Sequence, residues 1–112
     1  LAECAEFYGE VLGLPLLFEF RDHDGYSGMV FGLPDRSVQL ELVQRDGATA
    51  IPEPDPENQI VFYLPGDDAA AEIHDRLRAR GLEPVVPENP YWVRRGAFAF
   101  ADPDGWIVIF AP

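Results

Sequence analysis

An α+β fold built from two successive βαβββ modules is the class this sequence predicts, and three observations carry it. The C-terminal stretch Gly96–Pro112 sets Asp102-Pro103-Asp104-Gly105 between two apolar, aromatic-rich runs, the pattern of a β-hairpin closed by a tight turn. Gly28–Val43 has the same grammar: it opens on glycine, turns on Pro34-Asp35 and finishes in an apolar strand. The helix-ending glycines Gly13 and Gly81 lie 68 residues apart, as do the hairpin-opening Gly28 and Gly96. One shift therefore superposes helix, strand and hairpin start, with one extra residue absorbed near the Pro-Asp turns, and the chain reads as an internal repeat.

Residues 1–45 form the first module. Leu1, Cys4, Ala5, Tyr8, Val11 and Leu12 recur at helical spacing, and Gly13 stops that helix. Leu14–Phe20 reads as a strand and Arg21–Gly25 as a polar turn. Tyr26–Phe31 and Ser37–Gln44 form a hairpin about Leu33–Arg36. In its second arm Val38, Leu40 and Leu42 share one face, while Gln39, Glu41 and Val43 share the other.

Residues 46–57 read as an exposed linker, because Pro52, Pro54 and Pro56 alternate with acidic residues and exclude a helix or a central strand. The second module covers 58–112. Gln59–Leu64 is a short strand, and Gly66-Asp67-Asp68 offers N-cap candidates for a helix from about Asp68 to Arg80. Its buried stripe is Ala69, Ala70, Ile73 and Leu77, and Gly81 ends it. Leu82–Val86 reads as a strand and Pro87–Arg95 as a loop before the closing hairpin. Under the same shift the counterpart of Asn58–Leu64 falls upstream of Leu1. The first strand of the first module is thus expected to be missing, which would leave a sheet edge unpaired; the lack of an initiator Met suggests the same.

At 112 residues, 47% of them hydrophobic, the chain suits a single folded domain rather than a disordered segment. No apolar run approaches the ~20 residues of a membrane span. With no signal-peptide pattern and a lone cysteine, a cytoplasmic, reducing location is expected. A net charge of −12 disfavours nucleic acid and anionic membranes as partners. All eight basic residues are Arg, so Schiff-base chemistry and P-loop phosphate binding have no lysine to use. The acidic surface serves solubility, and it also suits cationic ligands.

Isolated chemical groups carry little. Cys4 falls on the helix stripe and reads as core; His23 reads as a loop residue; His74 flanks the stripe of the second helix. The two histidines have no metal-type spacing, and Ser27 and Ser37 lack a nucleophile elbow. Tyr91 and Trp92 differ from the other aromatics because they sit in a proline-bounded loop, where they could cover a ligand or anchor a second subunit.

The paired βαβββ modules, with Phe7-Tyr8, Gly13-Leu14, Gln39-Leu40-Glu41-Leu42 and Asp102-Pro103-Asp104-Gly105-Trp106, resemble the vicinal oxygen chelate superfamily. That group includes glyoxalase I, extradiol dioxygenases, and fosfomycin- and bleomycin-resistance proteins. The Asn89-Pro90-Tyr91-Trp92 loop followed by Gly96 is similar to a glyoxalase-like subset without an assigned function. The resemblance implies one glyoxalase/bleomycin-resistance-like domain over 1–112, a cup-shaped mixed sheet enclosing a pocket, and a homodimer. In metal-using members it implies four ligands, from the first and last strands of each module. Those positions map here onto Glu41, onto Gln59 where His is usual, onto Ile109 where Glu is usual, and onto the missing strand.

A neutral amide and a hydrocarbon are poor replacements for imidazole and carboxylate, which divalent metals prefer. The leading expectation is therefore a small-molecule-binding protein without a catalytic metal or other cofactor. It would hold an aromatic or cationic compound with Glu41, Gln39, Gln59, Tyr91, Trp92 and Ile109. Glu41 is also the candidate catalytic residue, as a general base. Two alternatives stand beside this. One is a metal-dependent lyase, isomerase or dioxygenase with Glu41 and Gln59 as ligands; the other is a degenerate domain acting only through protein interaction.

Overall fold

The structure, a computed structural model, describes residues 1–33, 37–50, 52–66 and 68–112, and the chain divides into two compact units, Leu1–Pro52 and Glu53–Pro112. The dividing point falls inside the linker that the prolines mark. The class is α+β: each unit carries one three-stranded sheet and helical segments. The expected turn at Pro34-Asp35-Arg36 and the Asp67 cap candidate lie outside the described residues.

In the first unit, helix α1 begins as an α-turn over Ala2–Ala5 and widens to π-helical bonding over Glu6–Val11. Cys4, Phe7, Tyr8 and Val11 form its buried stripe, and Gly13 follows at φ +80°. The turn beside Gly9 lies so close to the sheet that a β-carbon there would meet the Phe31 ring at 3.0 Å. Strands β1 (Leu16–His23), β2 (Tyr26–Gly32) and β3 (Gln39–Arg45) follow, all antiparallel in the order β1-β2-β3. β1 runs past the expected boundary at Phe20. Asp22 takes a left-handed φ of +51° at an irregularity between Phe20 and His23, and pairing resumes beyond it. The Asp22 N–H donates to Ser27 Oγ, whose hydroxyl donates to Asp46 Oδ1 at 2.6 Å.

In the second unit, β4 (Gln59–Tyr63) precedes helix α2 (Ala69–Ala79). Gly81, at φ +85°, closes α2: its own N–H donates to the Arg78 carbonyl and the Leu82 N–H reaches back to the Leu77 carbonyl. Strands β5 (Phe98–Ala101) and β6 (Ile107–Ala111) complete a mixed sheet ordered β4-β6-β5, with β4 parallel and β5 antiparallel to β6. The expected turn holds: the Asp102 carbonyl accepts from the Gly105 N–H at 2.9 Å, and Gly105 adopts φ +89°.

Two expectations are corrected here. Leu82–Val86 is not a full strand; only Val85 pairs, with Ala99. Pro84 and Pro87 lack the N–H groups that a longer ladder would need. Pro87–Arg95 is not all loop, since Pro90–Arg95 forms a short helix, α3. Asn89 Oδ1 accepts from the Tyr91 N–H at 3.0 Å, and Pro90 has φ preset for the first turn.

The two faces of the second sheet have different partners. Register places Phe98, Phe100, Val108 and Phe110 on one face, where α2 packs; His74 lies 4.3 Å from the Phe98 ring, ring centre to ring centre. The opposite face carries Gln59, Val61, Ala99, Ile109 and Ala111, and α3 packs there through Trp92. No helix among the described residues is long and apolar enough to cross a membrane.

Candidate functional site

The candidate residues fall into two groups, one on each sheet. On the first sheet Gln39 and Glu41 point to the same exposed side of β3, as their spacing predicts. Glu41 is directly opposite Val30, which is buried, and Val30 is opposite Phe18, which is 52% exposed. One step along the ladder Val43 faces Gly28, and the Phe20 ring lies over that glycine. Gly32, opposite Gln39, is covered in the same way by the Leu17 side chain. The floor around Glu41 is thus apolar, supplied by β1 and β2. Among the described residues no hydrogen bond or ion pair engages the Glu41 carboxylate.

On the second sheet Gln59, Trp92 and Ile109 are brought together. Trp92 is 8% exposed and Ile109 fully buried, packed with Ala99 and Ala111, with Val61, Val85, Ala97 and Ile107 around them. Both ends of the Gln59 amide are engaged. Its Oε1 accepts from the Trp92 indole N–H at 3.1 Å, and its Nε2 donates to the Pro56 carbonyl at 3.3 Å. Trp92 therefore packs on its own sheet rather than standing out from a loop. Tyr91 projects outward, half-exposed, with its ring edge-on to Trp92 at 5.0 Å.

Two further residues join this group: Arg95, whose sequence position beside Tyr91 and Trp92 suggests a carboxylate partner, and Tyr63, which sequence reasoning did not single out. Arg95 donates to the Tyr91 hydroxyl at 3.2 Å and to the Pro112 carbonyl at 3.0 Å, and its guanidinium sits 5.5 Å above the Tyr63 ring. Tyr63 is itself 64% exposed. The available signals were that Tyr63 shares strand parity with Gln59 and that Arg95 follows Tyr91 by one helical turn. Arg95 and the nearby Glu88 form no ion pair among the described residues.

As a donor set for a divalent metal these residues fit poorly. The Gln59 oxygen already accepts a hydrogen bond, and Ile109 offers no donor atom. No group of three His, Cys, Asp or Glu side chains placed to hold a metal occurs among the described residues. His74 is drawn against Phe98 with Nδ1 3.1 Å from Asp75 Oδ1, and His23 is exposed at the end of β1, paired with Tyr26.

Residues 1–43 match the family described as the YycE-like N-terminal domain, and residues 57–111 match the YycE-like C-terminal domain. The uncharacterized protein YycE of Bacillus subtilis strain 168 is 41% identical over 110 residues, covering 98% of this chain and 78% of that protein. A crystal structure of a B. subtilis YycE protein of unknown function, assigned there provisionally to the glyoxalase/fosfomycin-resistance group, superposes with a TM-score of 0.85 at 40% identity. It covers 98% of this chain and 80% of that one. A glyoxylase/bleomycin resistance protein/dioxygenase domain from Frankia sp. EAN1pec gives 0.78 at 21% identity, over 99% of this chain and 87% of that one. TnmS3, an antibiotic-binding protein from Streptomyces sp. CB03234, gives 0.69 at 22% identity, over 98% and 84%. The last two likenesses concern the fold.

Proposed function

Because the chain belongs to the YycE-like family of the glyoxalase/bleomycin-resistance superfamily, we propose that it is a small-molecule-binding protein that works without a catalytic metal. The observation that carries this reading is the setting of Glu41, a carboxylate on an apolar floor with Phe18 and Val43 exposed on the same face. Such a surface suits an aromatic or cationic compound: the charge attracts the cation and the apolar side chains take its body. The weak donor character of Gln59 and Ile109 supports the metal-free part. That a protein of the same fold is named as antibiotic-binding is consistent with the class of ligand. The homodimer and the cytoplasmic location belong to the same proposal, and sedimentation and cell fractionation test them.

The function test uses full-length protein purified without chelator. Metal analysis should find no stoichiometric Ni, Zn, Mn or Fe. Calorimetric titration should detect binding of a planar aromatic cation, and Glu41→Gln should weaken that binding by about tenfold, the scale of a lost charge-assisted hydrogen bond. Stoichiometric metal that disappears in Glu41→Ala would instead identify a metal-dependent lyase, isomerase or dioxygenase using Glu41 and Gln59. Silence across a broad compound panel would favour a domain that acts only through protein contacts.

A further inference from the structure

On the second sheet the patch formed by Val61, Ala99 and Ile109 already has an occupant. The Trp92 indole packs in that apolar cluster, and its N–H ends on the Gln59 side chain at the edge of the patch. A buried indole N–H needs an acceptor, because away from water an unmade hydrogen bond goes uncompensated. Gln59 meets that need, and its own amide is fixed in turn by the Pro56 carbonyl.

α3 has six residues, too few to be stable as an isolated helix. Its attachment to the sheet therefore depends on contacts outside itself. Trp92 supplies the buried one, and Arg95 reaches Tyr63 and the Pro112 carbonyl.

We infer that this face of the second sheet is a self-occupied aromatic site. α3 is its tethered ligand, Trp92 the bound group, and Gln59 a positioning residue that fixes the indole through its N–H. The chemical class it accepts is a planar heteroaromatic N–H donor, packed among Val61, Ala99 and Ile109, with the N–H aimed at a carboxamide oxygen. While α3 is docked the face is closed to outside molecules. Every residue involved lies in the second unit, so the inference stands or falls separately from the role proposed for Glu41.

The test empties the site in the full chain with Trp92→Ala and offers free indole, with 1-methylindole as a probe of similar shape that lacks the N–H. Indole should raise the melting temperature of the variant and leave the parent unchanged. 1-Methylindole should bind about fivefold more weakly, the scale of one neutral hydrogen bond. Adding Gln59→Leu to Trp92→Ala should abolish that preference. Equal effects of indole on parent and variant, or no preference for the N–H, would overturn the inference. If Trp92→Ala does not fold, Trp106→Phe leaves Trp92 as the sole indole fluorophore. Its emission should then be blue-shifted and poorly quenched by acrylamide, and Gln59→Leu should increase the quenching. Red-shifted, freely quenched emission from Trp92 would also overturn it.

Discussion

Gly28 and Phe20 meet so closely across the first sheet that a β-carbon on Gly28 would lie 2.6 Å from Phe20 Cζ, and equally close to the Leu42 carbonyl oxygen. This contact lets an aromatic ring lie over β2 beside the Glu41 row. Gly28→Ala should therefore destabilise the protein by about 1–3 kcal/mol, the usual range for overpacking. Urea unfolding would measure it. Combining Gly28→Ala with Phe20→Ala should relieve only part of the strain, because the Leu42 carbonyl belongs to the backbone and cannot swing aside.

The closing turn depends on a carboxylate that is only 7% exposed. Asp102 Oδ1 accepts from the N–H groups of Asp104 and Trp106, both at 2.9 Å. Asp102→Asn keeps an acceptor oxygen in place and should change the unfolding midpoint little. Asp102→Ala leaves both N–H groups without that acceptor and should cost about 1–3 kcal/mol. Equal losses from the two substitutions would mean that charge, rather than the turn geometry, is what matters there.

Much of this fold could be read from local chemistry. Gly13 and Gly81 mark helix ends, Asp102-Pro103-Asp104-Gly105 marks a turn, and the alternation along β3 places Gln39 and Glu41 on one side. The failures come from competing local signals and from tertiary contacts. Leu82–Val86 is rich in apolar residues, yet Pro84 within it and Pro87 just after it remove ladder donors, and one bridge survives. Pro90–Arg95 carries its end signals, Asn89 before it, Pro90 as its first residue and Gly96 after it, but on a segment short enough to resemble a loop. The candidate site was legible at Glu41, where the strand period alone decides the face. It was not legible at Trp92, because nothing local reveals that Gln59, 33 residues earlier, will accept its N–H.

The cap that starts α3 gives a local prediction. Asn89→Ala removes the acceptor for the Tyr91 N–H and should cost about 1 kcal/mol, whereas Asn89→Asp should be tolerated. Measured in a Trp106→Phe background, Asn89→Ala should make Trp92 easier to quench while leaving far-UV circular dichroism nearly unchanged. A loss spread evenly over the whole unfolding transition, with no change at Trp92, would show that α3 does not depend on its cap.

Ile109 allows the sharpest test of how far this chain stands from metal-using members of its superfamily. Ile109→Glu places a carboxyl where such enzymes usually carry one, but here the position is fully buried beside Trp92, Ala99 and Ala111. No cation is among the residues packed there, so the ionised form would lose its hydration without compensation, costing about 3–5 kcal/mol. Burial should raise the folded-state pKa of the introduced carboxyl above its unfolded value. The folded state then binds more protons, and stability falls as pH rises through the interval between the two values. The variant should accordingly be closest to the parent near pH 4 and weakest at neutral pH, as urea midpoints across that range would show. Added Ni²⁺ or Zn²⁺ should leave the neutral-pH midpoint where it is, since the Gln59 oxygen is held by Trp92. A midpoint that climbs with metal concentration would mean that a ligand set does assemble on this face.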